Sequence, residues 1–481
     1  MYRKKLESIA ILFLLIIGGV NVSAQNKYEY LYKDLPFQMP VLQQPVFPDN
    51  HISLKDCGGI PDGITLNTDA FERAMNELSG RGGGVLVVPA GLWFTGPIVF
   101  KSNINLHLEK GAVILFSPDF ELYPLVKTIF EGKETRRCQS PVSGNGLENI
   151  AITGEGVING SGEPWRPLKK GKVTEGHWKK VVGSGGVLKD SKTWYPNEKE
   201  YHRPVMISFV KCKNILLEGV LFENSPAWNI HPLMCENLII DDIKVRNPFY
   251  AQNGDGLDIE SCKNVIVVNS SFDVGDDAIC IKSGKDEEGR RRARPTENVI
   301  VDNCRVFKGH GGFVVGSEMS GGVKNISVSN CQFLGTNIGL RFKSARGRGG
   351  IVEDIYIRNI NMFDIQDEPL SFNLYYFTQK TDIVPPVDET TPQFRNIYIS
   401  NVTARDSKKA MLFNGLPEEK ISGIYIENTV IKSRLGAELS EAKNVHLKNV
   451  RIYPEEGPAL ILNNVEDISG HTELLECSSF K

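Results

Sequence analysis

The amino-acid sequence predicts an all-β chain that winds into one parallel β-helix, a solenoid in which each coil stacks on the coil before it. The main observation is a recurring phrase in which an Asn opens a β-branched run, as in Cys212–Val220, Cys235–Ile243 and Cys262–Ser270. The Asn anchors of these copies lie 23 and 27 residues apart. No stretch between copies is long enough for a crossover helix, so we expect short strands stacked coil on coil.

The first 24 residues have the pattern of a signal peptide. Basic residues at positions 3–5 precede an apolar run at 9–17, and small residues end at Ala24. This run is shorter than the ~20 residues that span a bilayer, so we expect export to the periplasm or the outside rather than anchoring. The predicted organisation is therefore a signal peptide at 1–24, an N-terminal extension at 25–50 and a single β-helix domain at 51–481.

A short helix is predicted where the solenoid needs a cap. Thr68 or Asp69 can cap an amphipathic helix that runs to about Leu78. An open end of a β-helix exposes unpaired backbone groups, so we expect this helix to cover the first coil.

The repeated Asn is expected to form a ladder at one corner of the coil, because Asn tolerates left-handed backbone and its amide can bond to the next coil. Other copies of the anchor are Asn149, Asn298, Asn325, Asp354, Asn396 and Asn444. Three of the nine cysteines, Cys212, Cys235 and Cys262, stand two residues before an anchor. This regular placement indicates small buried residues within the stack, although a few disulfides remain possible.

The segment 161–204 interrupts the repeat and is predicted to be a long loop. It holds three tryptophans and ten basic residues against five acidic ones. Two interpretations are open, a solvated excursion or a wall that contacts the substrate.

Composition excludes several classes of protein. The chain has 23% charged and 41% hydrophobic residues, which excludes a disordered tail and a small disulfide scaffold. Its 55 basic residues against 58 acidic ones argue against nucleic acid as the main partner, because phosphate binding normally requires a basic excess.

Polar side chains are concentrated between residues 253 and 343. The motifs are Asn253-Gly254-Asp255, Asp276-Asp277, Gly309-His310-Gly311 and Arg341-Phe342-Lys343. Counting twelve residues from three anchors predicts one column of Asp276, His310 and Asn337, and counting eighteen predicts a second of Asp255, Lys282 and Lys343. Neighbouring coils lie ~4.8 Å apart, so the two columns are expected to share one patch.

Three close carboxylates suit glycoside hydrolysis. Like charges raise one another's pKa, and a protonated carboxyl can then serve as general acid while another activates water. A calcium site is the rival interpretation of such acids, and His310 and the two cations in the patch count against it.

The four motifs, in this order, resemble glycoside hydrolase family 28, the polygalacturonases, which are right-handed parallel β-helices with Asn-Thr-Asp, Asp-Asp, Gly-His-Gly and Arg-Ile-Lys. The resemblance runs from about Asp56 to the end, with Gly254 in place of Thr and Phe342 in place of Ile. It implies that Asp276 is the general acid, that Asp255 and Asp277 activate water, and that His310 tunes the acid.

The resemblance also implies a site for an acidic sugar. Arg341 and Lys343 would bind a galacturonate carboxylate next to the cut, since Arg can grip a carboxylate bidentately. Three further residues complete the expected substrate-binding set. They are Asn253 of the Asn-Gly-Asp motif, Lys282 of the second column, and an aromatic residue that is either Tyr375 or Tyr376.

The expected activity is inverting exo-hydrolysis of α-linked galacturonic acid in a pectic polysaccharide or oligosaccharide, without metal or cofactor. Exo action is favoured because the segment 161–204 and the basic run at 290–294 can wall off one end of the groove. Alternatives are endo-polygalacturonase or rhamnogalacturonan hydrolase activity in the same family. Calcium-dependent pectate lyases and non-catalytic β-helix adhesins are alternatives from other classes.

Overall fold

The computed structural model describes residues 26–196, 202–380 and 383–470. The predicted signal peptide at 1–24 lies outside these residues. Within them, no helix has both the length and the apolar character needed to cross a membrane.

The described chain consists mostly of short strands with three α-helices. The helices are α1 (Thr68–Gly80), α2 (Glu175–Gly183) and α3 (Asp286–Arg292), and short 3₁₀ turns cover Glu29–Tyr32, Phe120–Leu122, Glu163–Trp165 and Lys170–Lys172. The strands are β1 (His51–Ser53), β2 (Gly84–Val88), β3 (Gly91–Thr95), β4 (Ile98–Val99), β5 (Ile104–Leu108), β6 (Ala112–Phe116), β7 (Leu125–Phe130), β8 (Lys133–Cys138), β9 (Val142–Asn145), β10 (Glu148–Gly154), β11 (Val157–Asn159), β12 (Leu168–Lys169), β13 (Val187–Lys189), β14 (Thr193–Tyr195), β15 (Ile207–Val210), β16 (Lys213–Glu218), β17 (Leu221–Glu223), β18 (Ile230–Leu233), β19 (Glu236–Asp241), β20 (Lys244–Arg246), β21 (Leu257–Glu260), β22 (Lys263–Val268), β23 (Ser271–Asp273), β24 (Asp277–Lys282), β25 (Thr296–Asp302), β26 (Arg305–Lys308), β27 (Gly311–Gly316), β28 (Val323–Ser329), β29 (Gln332–Leu334), β30 (Ile338–Lys343), β31 (Ile351–Ile365), β32 (Leu370–Asn373), β33 (Gln393–Asn414) and β34 (Ile421–Ser469).

The strands stack in three parallel columns. The sheet that carries the site, here called the groove sheet, runs β4–β9–β15–β18–β21–β24–β27–β30–β32. A back sheet runs β2–β5–β10–β16–β19–β22–β25–β28–β31. A third runs β3–β6–β11–β17–β20–β23–β26–β29. The predicted right-handed parallel β-helix is confirmed.

The Asn ladder forms at the corner that opens the back sheet. Asn214, Asn237, Asn264, Asn298 and Asn325 each donate Nδ2 to the Oδ1 of the preceding ladder residue at 3.0–3.1 Å. All five have φ between 55° and 59°, the left-handed conformation that Asn tolerates better than most residues. The ladder therefore turns the chain and ties successive coils together.

Cys212, Cys235 and Cys262 are buried thiols without disulfides. They stack as the repeat predicts, with the backbone N–H of Cys212 on the Cys235 sulfur at 3.4 Å and that of Cys235 on the Cys262 sulfur at 3.4 Å.

Helix α1 covers the first coil, as predicted. Phe71, Met75 and Leu78 are buried in the main core. The helix begins at Thr68, but its N-cap is Asn67, and neither Thr68 nor Asp69 caps it. Thr68 instead accepts a hydrogen bond from the Gly96 N–H at 2.7 Å, which ties the helix to the coil below.

The segment 161–204, expected to be a long inserted loop, has secondary structure of its own among its described residues. It contains helix α2 and a small antiparallel sheet of β12, β14 and β13. Trp165 is fully buried against Phe120 and Tyr123, with ring centres 4.3 and 5.2 Å away. Aromatic packing of this kind anchors the segment to the solenoid.

Candidate active site

Two carboxylates face each other across adjacent strands of the groove sheet. Asp255 immediately precedes Gly256, whose N–H donates to the Asp277 carbonyl at 2.9 Å, so the two Asp residues lie side by side at the start of β21 and β24. Asp276 is the next residue back along the chain. One oxygen from each of these three carboxylates lies within 4.8 Å of the other two, a spacing at which oxygen ligands could also hold a divalent cation.

The three carboxylates differ in their access to solvent. Asp255 and Asp277 are only 3% and 1% exposed, whereas 21% of the Asp276 side chain is accessible. Asp276 is therefore the member of the trio best able to reach an incoming sugar.

Asp277 is held in its charged form. Burial alone would raise its pKa, but Lys343 Nζ lies 2.5 Å from Oδ2 and Arg341 Nη1 lies 3.2 Å from Oδ1. These two cations outweigh burial and hold the pKa of Asp277 well below its usual range.

The pKa of Asp255 is shifted in the opposite direction. Burial, followed by repulsion from Asp258 and Asp276, raises the pKa of Asp255 well above its ordinary value. Burial also raises the pKa of Asp258 to about 8, against the attraction of Lys282. The site thus pairs one firmly ionised carboxylate with a neighbour that retains a proton more readily.

His310 contacts the more exposed carboxylate. Its Nδ1 lies 2.9 Å from Asp276 Oδ1, and this hydrogen bond raises the pKa of the imidazole against the effect of burial. The backbone N–H of His310 also donates to the Asp276 carbonyl at 2.8 Å, and Gly311 is opposite Ile338 in the ladder. The first predicted column is therefore present, with Asp276, His310 and Asn337 on successive coils.

The second predicted column is wrong in one member. The misplaced member is Asp255, because Lys282 is opposite Glu260 instead. Lys282 and Lys343 do share a column, since the register of β24, β27 and β30 aligns both with Gly316. The reason is the loop 247–254, which lengthens the coil before β21 and pushes its groove residues further from the anchor. Asp255 reaches the site through pairing with Asp277 instead.

Lys282 is 3% exposed and lies among acidic side chains rather than on the open surface of the groove. Its Nζ lies 3.1 Å from Glu318 Oε2, 3.5 Å from Asp258 Oδ1 and 4.8 Å from the centre of the Trp228 ring. Lys282 and its neighbouring cations lower the pKa of Glu318 to about 2, although burial opposes this. This arrangement makes Lys282 an internal counterion.

Of the two candidate tyrosines, Tyr376 lies at the cluster. Lys343 Nζ is 4.9 Å and the Arg341 guanidinium 5.5 Å from the centre of its ring. Tyr375 packs instead against Arg346, 5.2 Å from its ring centre. Asn253 faces inward, where its Oδ1 accepts a 2.5 Å hydrogen bond from Arg203.

Several residues of the cluster were not predicted from the sequence. Asp258 could have been found, because it lies two residues before Glu260 on one strand and therefore on the same face. Glu318, Trp228 and Arg203 come from distant segments without a repeated spacing, and no local pattern points to them.

One end of the groove is covered by a hairpin that the sequence analysis also missed. Strands β7 and β8 form an antiparallel pair, and a cavity of about 280 Å³ separates the hairpin from β9 and β15. Phe130 at its tip packs on Trp228 with ring centres 4.6 Å apart. The hairpin therefore crosses the outer face of the groove sheet.

The hairpin tip docks on α3 beyond the sheet. Lys133 Nζ lies 2.9 Å from Asp286 Oδ2, and the Glu134 N–H donates to Glu288 Oε2 at 2.8 Å. Gly132 has φ 73°, and a Cβ there would lie 2.5 Å from the Lys285 nitrogen, so the tip approaches α3 as closely as only glycine allows. Hairpin and α3 together form a wall, here called the end wall.

Known proteins match both the sequence and the fold. A family model described as glycosyl hydrolases family 28 matches residues 125–452. A probable polygalacturonase of Vitis vinifera is 31% identical over 79% of this chain and 74% of its own length. An exo-poly-alpha-D-galacturonosidase of Dickeya chrysanthemi is 28% identical over 74% of this chain and 62% of its own length.

Solved structures agree with this assignment. A hyperthermoactive exopolygalacturonase from Thermotoga maritima superposes with a TM-score of 0.75 and 35% identity, covering 88% of this chain and 94% of that one. A family 28 exopolygalacturonase from Yersinia enterocolitica, at 22% identity, shares the fold with a TM-score of 0.72 over 88% of this chain and 78% of that one. The chain thus belongs to glycosyl hydrolase family 28 and is a glycosidase.

Proposed function

We propose that the protein is an exo-acting hydrolase that removes galacturonic acid from the end of a pectic galacturonan by inverting acid–base catalysis. The observation that carries this proposal is the contact of Asp277, one of the three clustered carboxylates, with two cations, Arg341 and Lys343. An anionic sugar requires cations beside the acids that cleave it, and a guanidinium can bind its carboxylate bidentately. The names of the exo-acting relatives support the same substrate.

Each acid has a distinct part in the proposed reaction. Asp276, the most accessible of the three, gives its proton to the leaving glycosidic oxygen. Water attacks the anomeric carbon from the opposite face and its proton passes to Asp277. Lys343 and Arg341 hold Asp277 in the ionised form that can accept a proton, although its lowered pKa makes it a weak base. Asp255, which retains a proton more readily, orients the same water. Attack opposite to the leaving group inverts the anomeric centre, although the carboxylate oxygens lie within 4.8 Å of one another, closer than the ~6.5–9.5 Å typical of inverting enzymes.

His310 is proposed to restore the acid after each turnover. Half of its side chain is exposed, and its Nδ1 is within hydrogen-bond distance of Asp276. An imidazole with a raised pKa can carry a proton from solvent to the carboxylate. Tyr376, beside both cations, would contact the bound sugar and is a better candidate for that part than Tyr375.

The end wall supports exo rather than endo action. A chain that continued past the hairpin would meet Phe130 on Trp228 and the contact between Lys133 and Asp286. Only a chain end fits such a groove. The segment 161–204 was the expected wall; its first residues contact the loop 247–254 through Glu163 and Tyr250, so it would support the wall from the side.

We also propose that the chain is exported and meets its substrate outside the cytoplasm. The support is the basic, apolar and small-residue pattern of positions 1–24, together with a polymer substrate too large to enter a cell. Amino-terminal sequencing of protein recovered from the periplasm or medium tests this, and a mature chain that still begins at Met1 would contradict it.

Digestion of defined galacturonate oligomers tests the activity. Monogalacturonate should appear from the first minutes while long chains shorten slowly, and fresh product should be the β-anomer of an α-linked substrate. An early spread of mid-length oligomers would show an endo enzyme. An unsaturated product would show a lyase, and binding without turnover would show a non-catalytic protein.

A further inference from the structure

A buried cation outside the four motifs, Arg203, contacts Asn253, two residues before Asp255. Arg203 is 6% exposed and forms no ion pair with any residue that the structure describes. Burying a guanidinium without a carboxylate partner is costly unless its hydrogen bonds are satisfied. The hydrogen-bond partners of the Arg203 guanidinium therefore indicate the role of this residue.

The two terminal nitrogens of Arg203 donate three hydrogen bonds, two of them to the loop 247–254. Nη1 donates to the Gln252 carbonyl at 2.7 Å and to the Pro226 carbonyl at 3.3 Å, while Nη2 donates to Asn253 Oδ1 at 2.5 Å. The planar guanidinium fork thus holds two consecutive residues of the loop 247–254 at once.

This loop is the one that displaces Asp255 from the regular repeat. It adds residues to the coil before β21, and its backbone reaches φ 51° at Asn253. The Gly254 carbonyl accepts from Asn247 Nδ2 at 3.1 Å, and Asp255 follows directly. A long loop is mobile by default, so the position of Asp255 beside Asp277 depends on what holds residues 252 and 253.

We propose that Arg203 is a positioning residue of the active site, which clamps the loop 247–254 so that Asp255 stands beside Asp277 and orients the attacking water. This inference rests on the proposed function, because it assigns Asp255 its part in the reaction. The clamp depends on the shape of the guanidinium as well as on its charge, because Nη1 binds Gln252 while Nη2 binds Asn253.

The chain provides a matched control for this clamp. Arg166 is also largely buried, and its Nη2 donates to Asn224 Oδ1 at 2.8 Å and to the Ser225 carbonyl at 3.0 Å. Unlike Arg203 it also has a carboxylate partner, since its Nη1 lies 2.8 Å from Glu163 Oε2. It holds the corresponding corner one coil earlier, where no catalytic carboxylate follows. Glu163 also accepts a hydrogen bond from Tyr250 of the loop 247–254, so Arg166→Gln should lower stability and slow the chemical step far less than Arg203→Gln does.

The experiment compares Arg203→Gln, Arg203→Lys and Arg166→Gln by kcat, KM and thermal unfolding on a galacturonate oligomer. Arg203→Gln should lower kcat about a hundredfold, because a shift near 1 Å of a reacting group has that effect, and should leave KM within about twofold. Arg203→Lys should be nearly as slow, because an ammonium cannot hold Gln252 and Asn253 together. In an Asp255→Asn background, Arg203→Gln should lower the residual kcat little further.

Three results would overturn the inference. They are a wild-type kcat in Arg203→Lys, a kcat loss in Arg166→Gln equal to that in Arg203→Gln, and a full further loss in the Asp255→Asn background. Should Arg203→Gln fail to fold, Asn253→Ala removes one clamp contact and should lower kcat in the same direction. Wild-type protein that releases no sugar from any galacturonan would refute the proposed function itself, before any variant is compared.

Discussion

Replacing Lys343 by Met removes one of the two cations that hold Asp277 ionised. Lys343 and Asp277 have side chains 7% and 1% exposed, and their charged atoms lie 2.5 Å apart. Breaking a buried ion pair costs ~3–5 kcal/mol, because the remaining charge is left uncompensated. Arg341 stays 3.2 Å from Asp277, so we expect a loss near the lower limit, ~3 kcal/mol.

Urea unfolding at pH 7 measures this loss as a shift of the midpoint at unchanged slope. The control is Lys324→Met, which removes an ion pair to Glu297 at 3.1 Å where the Lys side chain is 44% exposed. Exposed pairs of this kind contribute at most ~1 kcal/mol. In Lys343→Met the buried Asp277 keeps only Arg341 as a partner. Adding Asp277→Asn removes this carboxylate, so the double variant should recover part of the lost stability.

The pH dependence of the same variant has a definite sign. The pKa of Asp277 is lowered in the folded protein, so its ion pairs contribute fully above the unfolded value of ~3.9 and are lost as the pH falls through the folded pKa. The gap between wild type and Lys343→Met should therefore be full at pH 7 and shrink in acid. Equal losses in Lys343→Met and Lys324→Met, or no rescue by Asp277→Asn, would refute the electrostatic account of the site.

Further predictions concern the reaction. Asp276→Asn should fold normally and lower kcat by ~10²–10⁴-fold. If this variant keeps a tenth or more of the wild-type rate, Asp276 is not the general acid. If a charged His310 restores the acid, kcat should fall on the alkaline side at a pH above the ordinary His value of ~6.5, since the bond to Asp276 raises the pKa of His310; His310→Asn should abolish this limb, and an unchanged profile would contradict the role. Replacing residues 127–136 by a short turn should open the end wall and add mid-length oligomers to the early products; monogalacturonate alone would show that another element blocks the groove. Methyl-esterified substrate should react about ten- to a hundredfold more slowly than the free acid, because it loses a charge-assisted contact with Arg341 and Lys343 worth ~1.5–3 kcal/mol; equal rates would mean that these cations do not read the carboxylate.

The solenoid and the first column of the site could be predicted from the sequence alone. A parallel β-helix adds nearly constant increments of chain per coil, so a residue's distance from its Asn anchor predicts its place around the coil. The ladder from Asn214 to Asn325 and the contact between Asp276 and His310 follow from this regularity. The order of the motifs then indicated hydrolysis of an acidic sugar, because it places three acids and two cations on neighbouring coils, where they lie close together.

The rest of the site depends on contacts between segments that are far apart in the chain. The count of residues from the Asn anchor misplaces Asp255, because the loop 247–254 changes the length of its coil. Arg203, which is distant in sequence, holds that loop in place. The end wall joins Glu134 to Glu288 across 154 residues of chain, a contact that no local pattern encodes. The opposite pKa shifts of Asp255 and Asp277 depend on burial and on which cations come within hydrogen-bond distance, and both are properties of packing, which adjacent residues in a sequence do not determine.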